Sequence, residues 1–235
     1  MGSVYDRSLD LKILVMGAGA VGGYFGGMLA NCDEDVTFLA RGSHLEAINE
    51  RGLRVESDTS GHFIVHPIAK EKPEIAWKAD LVLFCVKSYH NGSAIEAISS
   101  AISDSTTILT LQNGIGSGEQ LADAFGREKV LLGAAYIDAK RKAPGVIAQF
   151  GNTCYFVFGE EDGRTTVRAN RVQSTFQRSG VDVNLSTNVL KNLWDKLILI
   201  CALSGMSCVT RASISEVLET SGTLDLTWQV MREAA

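Results

Sequence analysis

Residues 17–22 of this chain read Gly17-Ala18-Gly19-Ala20-Val21-Gly22, a G-x-G-x-x-G run set between the apolar stretch LKILVM at 11–16 and a small-residue helical pattern at 21–30. No other feature restricts the fold as much. In a strand–loop–helix unit, Gly17 allows the tight turn, Gly19 lets a pyrophosphate approach the backbone and Gly22 lets the helix pack close to the strand. The helix N-terminus then faces the anion. In another α/β protein the same run would be no more than a glycine-rich turn, but its place between strand and helix favours a nucleotide site. A second buried strand, DVTFL at 35–39, closes one βαβ unit.

The pattern continues as alternating elements. Strands are predicted at 54–56, 63–66, 81–86, 107–111 and 130–134, and helices at 43–51, 91–102 and 117–125, which implies a mostly parallel sheet. The runs VIAQF at 146–150 and YFVF at 155–158, separated by GNTC, read as a hairpin. From about Ser186 the strand signal stops and three helical patterns follow. The expected architecture is α/β: a Rossmann-type domain at 1–185 with a mostly parallel sheet, then an all-helical domain starting at 186–235. The last helical pattern reaches Ala235 with no glycine cap or proline stop, so the second domain reads as incomplete.

Composition limits the partners. The 235 residues are 46% hydrophobic, enough for a full core, and the net charge of -5 with scattered cations argues against nucleic acid. No uninterrupted apolar run reaches the roughly 18–20 residues of a membrane span, and the polar start at 1–10 is unlike a secretion signal. A cytoplasmic location with no membrane partner is expected. Five cysteines (Cys32, Cys85, Cys154, Cys201 and Cys208) form no C-x-x-C pair and read as reduced, mostly buried thiols. His62 and His66 fall in a strand-like segment, where a four-residue spacing does not make a metal pair.

The loop after the second strand selects among nucleotides. An NAD site usually presents a carboxylate there to the ribose 2'-hydroxyl, whereas this chain has Ala40-Arg41. A guanidinium suits a 2'-phosphate, so NADP(H) is the expected cofactor, the alternative for Arg41 being a solvated surface residue. Lys87 and Asn113 follow the strands at 81–86 and 107–111, at the sheet edge where ligands lie, although Asn113-Gly114 is also a common turn pair. Lys196 stands seven residues from both Val189 and Leu203, on the helix face that should pack inward. Snorkelling of the stem would explain it. So would catalysis: a reductase needs a cation or proton donor beside the carbonyl oxygen that accepts charge, and burial lowers a lysine pKa toward the useful range.

Taken together, residues 17–30 (GAGAVGGYFGGMLA), Arg41, Val86-Lys87, LQNGI at 111–115 and LWDKL at 193–197 resemble, in order and spacing, the ketopantoate reductases (2-dehydropantoate 2-reductases). The resemblance spans nearly the whole chain. It implies NADPH-dependent reduction of a branched 2-oxo acid, ketopantoate to pantoate, on the way to pantothenate and coenzyme A. It also implies Lys196 as proton donor, Asn113 as a residue positioning cofactor and substrate, and Arg41, Lys87 and the loop from Gly17 to Gly22 as cofactor contacts.

The departures concern the substrate. The family pattern has asparagines one and two turns after the lysine and another beyond that helix; here Ile200, Ser204 and Ile214 stand there. Ser204 keeps a hydroxyl for the substrate, while the isoleucines remove hydrogen-bonding groups, a change that alters substrate choice. The family's second domain also continues past this length and carries an active-site serine and glutamate. Two other readings remain open at this point: a reductase of a different small 2-oxo acid or ketone, and a non-catalytic NADP(H)-binding sensor. Helical second domains of dehydrogenases often pair, which leaves a homodimer open.

Overall fold

The computed structural model describes residues 11–235; the polar start at 1–10 lies outside the described residues. The described residues fold around one ten-stranded sheet. Its centre is the parallel order β7 (Thr107–Thr110), β6 (Leu81–Phe84), β1 (Lys12–Met16), β2 (Asp35–Leu39) and β5 (Ile68–Lys70). Apart from β5, an edge strand whose Ile68 is exposed, these strands are apolar at successive positions because both faces are covered. Ile13 and Val15 of β1 enter the core beneath α1 (Ala20–Asn31), while Leu14 and Met16 enter the opposite core with Phe84, Ile98 and Leu121. Helices α2 (Gly42–Arg51), α3 (Asn91–Ile98) and α4 (Ser117–Phe125) complete the alternation.

Outside this centre lie β8 (Val130–Ala143) and β9 (Val146–Gly159), an antiparallel pair of 14 residues each, followed by β3 (Leu53–Ser57) and β4 (Gly61–Val65). The expected hairpin is therefore corrected. Residues 146–150 and 155–158 are parts of one strand, and the hairpin partner is β8, joined through Pro144-Gly145. Proline presets the first turn position, and Gly145, at φ +76°, supplies the second, which a side chain would resist. The GNTC signal is real but marks a bulge: Ile137 pairs with Cys154 and Asp138 with Phe150, so the residues between are looped out of register.

Three elements escaped the pattern reading, the first being the short edge strand β5. Helix α5 (Val167–Arg178), capped by the Thr166 hydroxyl, buries Ala169, Val172 and Phe176, and β10 (Asp182–Leu185) runs parallel to β9. Three helices end the chain: α6 (Val189–Thr210), α7 (Ile214–Glu219) and α8 (Ser221–Ala234). By length and apolar composition α6 is long enough to cross a membrane, but it is not an uninterrupted apolar run. Lys191, Asp195 and Lys196 interrupt its first half, and Lys196 is bonded into β8. The thiols are less buried than expected: Cys32, Cys85 and Cys154 are half-buried, and Cys201 and Cys208 are exposed.

Candidate functional site: a dinucleotide cavity and a buried lysine

The strand order reverses beside β1, whose neighbours β2 and β6 lead away in opposite directions. In a doubly wound sheet this is where a crevice opens at the carboxyl ends of the strands. A cavity of about 750 Å³ occupies that place, within the size range of cofactor pockets. The Gly17–Val21 segment, Arg41, Lys87 and Asn113 all line it. The sequence therefore separates these residues by up to 96 positions, and the fold brings them to one wall system.

The glycine loop has the shape that an anion requires. Gly17 holds φ +100°, and a Cβ on Gly22 would lie 2.2 Å from the Gly17 carbonyl oxygen, so any side chain there would push the helix off the loop. At Gly19 a Cβ would meet nothing within 4 Å; the open space lies above the backbone at the start of α1. Unpaired N–H groups of a helix start and its dipole favour a phosphate there. Arg41 is the cap residue of α2, exposed at the end of β2. Across the cavity stand two cations that the sequence reading passed over, Lys140 and Arg141 of β8, with Lys140 Nζ 4.8 Å from the Phe150 ring centre. The residues present thus fit a dinucleotide with an extra phosphate.

A buried amide chain holds the far wall. Gln112 Nε2 donates to the Val86 carbonyl and to Asn91 Oδ1, both at 2.7 Å, and Asn91 Nδ2 donates to Gln120 Oε1 at 2.7 Å. These bonds tie the loop carrying Lys87 to the loop carrying Asn113. Neither loop can move alone without leaving a buried amide unpaired.

Lys196 is not on the cavity wall. It is only 8% exposed, and its Nζ donates to the Ala135 carbonyl of β8 at 2.5 Å and lies 5.5 Å from the centre of the Tyr136 ring, which stacks on Tyr155. No carboxylate among the described residues pairs with it. Burial alone pushes its pKa down to about 8. The snorkelling alternative does not describe this ammonium, which is held inside rather than extended to water. Ser204 is exposed, Ile200 is half-buried on the same helix and Ile214 is exposed at the start of α7; none of the three lines the cavity.

Comparison with known proteins agrees with this geometry. The family profile of ketopantoate reductase PanE/ApbA matches residues 13–163. A 2-dehydropantoate 2-reductase of Pyrococcus horikoshii is 32% identical over 223 residues, covering 95% of this chain and 72% of the relative. The uncharacterized oxidoreductase YkpB of Bacillus subtilis is 32% identical over 210 residues, covering 89% and 69%. Among solved structures, 2-dehydropantoate 2-reductase from Geobacter metallireducens superposes with a TM-score of 0.87 at 32% identity, over 94% of this chain and 73% of that one. From the glycine loop to Gly163 and beyond, sequence and fold agree: the chain belongs to the ketopantoate reductase PanE/ApbA family of NADP(H)-dependent oxidoreductases.

Proposed function

We propose that this chain reduces a small branched 2-oxo acid with NADPH, with 2-dehydropantoate as the first substrate to try and a substrate pocket altered at Ile200, Ser204 and Ile214. The observation that carries the reading is Lys196: a buried ammonium with a pKa near 8, held by one carbonyl and one aromatic face and balanced by no carboxylate. The glycine loop and the start of α1 hold the pyrophosphate. Arg41 takes the 2'-phosphate, and Lys87 and Asn113 flank the nicotinamide side, Asn113 also meeting the substrate. When bound, NADPH supplies the hydride.

Lys196 then does what hydride delivery demands of a protein. Charge grows on the carbonyl oxygen, and an ammonium near its own pKa both stabilises that charge and gives up a proton to it. The division of labour follows the chain: residues 1–185 serve the cofactor and 186–235 begin the substrate side. Ile200 and Ile214 replace groups that would bind hydroxyls, so the preferred acid is less hydroxylated or bulkier in its apolar part than 2-dehydropantoate.

The test is loss of reduced-nicotinamide absorbance with 2-dehydropantoate and a panel of smaller and more apolar 2-oxo acids. Turnover of an apolar acid above that of 2-dehydropantoate is the expected result. NADPH binding with no turnover of any acid would overturn the reductase reading and leave a cofactor-sensing module, a reading favoured by the exposure of Ser204 and by the absence of Lys196 from the cavity wall.

A further inference from the structure

One buried group beside the cavity takes no part in the proposed reduction. His44, on the first turn of α2, is 4% exposed and lines the cavity. Its Nε2 lies 2.6 Å from the carbonyl oxygen of Ala18, inside the glycine loop, and its Nδ1 accepts from the Gly145 N–H at 2.9 Å. Those partners are 26 and 101 residues away in sequence. Ala18 lines the cavity, and Gly145 sits in the turn just beyond the cavity-lining stretch Ala139, Lys140 and Arg141 of β8.

We propose that His44 is a positioning residue for the dinucleotide, a neutral imidazole that locks the glycine loop to the β8–β9 turn and so sets the distance across which the cofactor is held. This rests on the cofactor reading of the cavity.

The bonds fix the imidazole's state. A backbone N–H can only donate, so Nδ1 carries no proton, and Nε2 must carry one to bond the Ala18 carbonyl. A protonated ring would point N–H at N–H and lose the Gly145 side. The environment agrees: burial holds the His44 pKa below its ordinary value, the Ala18 bond pulls it up in part, and the charge of Arg141 adds a lesser lowering.

Both ends of the lock matter for binding. Ala18 lies between Gly17 and Gly19, so holding its carbonyl orients the peptide units from which the pyrophosphate must be met. Gly145 is buried, donates to His44, accepts from the Arg54 N–H of β3 at 2.8 Å, and a Cβ on it would meet Ala47 of α2 at 3.0 Å. The turn is therefore pinned from three sides, and four residues before it β8 presents Arg141 to the cavity. Without His44 the hydrogen-bonded link between the glycine loop and the β8–β9 turn is lost, and only the packing of α1 on β8 and β9, such as Gly23 against Ile147, remains.

The variants separate the two bonds. Asparagine places an amide oxygen near Nδ1 and keeps the Gly145 side; glutamine reaches the Nε2 position and keeps the Ala18 side; leucine keeps neither. Calorimetric titration with NADP+ should show an affinity loss of about tenfold or more in His44→Leu, with His44→Asn and His44→Gln each recovering part of it, as two neutral hydrogen bonds would. If His44→Leu does not fold, the same decision rests on the Asn and Gln variants, each expected to lose about threefold to tenfold. Folded variants that all bind NADP+ within twofold of the unaltered protein would overturn the proposal. Failure of the unaltered protein to bind NADP+ is a separate outcome, which overturns the cofactor reading itself and this inference with it.

Discussion

The sheet region and the terminal helices are built to different standards of closure. In the sheet, β6 is apolar and buried at every position and β1 at every position after Lys12, and Phe25, Phe156, Phe158 and Phe176 are fully buried together. In the helices, Val189 and Leu193 join the sheet's core and Lys196 reaches β8, but after that burial thins to Ala202, Met206, Val217 and Thr227. Trp194 and Trp228 remain 50% and 52% exposed, and Val209 83%. Packing thus specifies the cofactor half from within, whereas the helices are fixed to it chiefly through the first turns of α6.

The largest effect is expected at Lys196, where the two regions meet. Lys196→Ala should lower turnover by about a hundredfold to ten-thousandfold while NADPH affinity stays within about twofold; equal losses in both would make the lysine structural. The same residue sets a pH limit. Its pKa near 8 means the ammonium is the donor below that pH, so reduction at saturating NADPH should fall as pH rises through 8, and a profile flat to pH 10 would remove the donor role.

Next in size is a contrast of two aromatic truncations. Phe156→Ala should cost about 3–5 kcal/mol in urea unfolding, because the ring is wholly buried against Phe25 and Phe176. Trp228→Ser, half exposed on α8, should change stability by no more than about 0.5 kcal/mol, the smallest effect foreseen. Similar costs at both sites would mean that the helices are as tightly closed as the sheet. Between these lies Arg41→Ala, expected to weaken NADPH about tenfold and NADH hardly at all; equal losses would reject the 2'-phosphate role.

What the chain disclosed before folding follows the range of the interactions. The glycine loop, β2 and α4 were readable because each is decided by neighbours in sequence. The turn at Pro144-Gly145 carried its own local signal, yet GNTC offered a rival one, and only the pairing with β8 shows that the latter is a bulge. Helix α5 also had a readable start at Thr166, followed by Ala169, Val172 and Phe176 at helical spacing, but its many charged and polar residues masked the stripe. His44, Lys140 and Arg141 were beyond reach for a different reason. Nothing near His44 in the chain predicts a partner 101 residues later, and two cations on a long strand look like any solvated edge. Lys196 lay between: the helical spacing marked it as inward-facing, while its carbonyl and aromatic partners came from β8.

Strand β8 touches both ends of the site. Its Ala135 holds the lysine and its Arg141 lines the cavity, six residues apart on one extended segment, or roughly 20 Å at the rise of a β-strand. It acts as a ruler with two marks. A substitution between the marks leaves the spacing alone, but gaining or losing one residue shifts one mark against the other and turns every later side chain to the opposite face. Changes of chain length in proteins of this build should therefore collect at the Pro144-Gly145 turn or the bulge near Gly151, where slack already exists, while the stretch from Ala135 to Arg141 changes its letters and keeps its count.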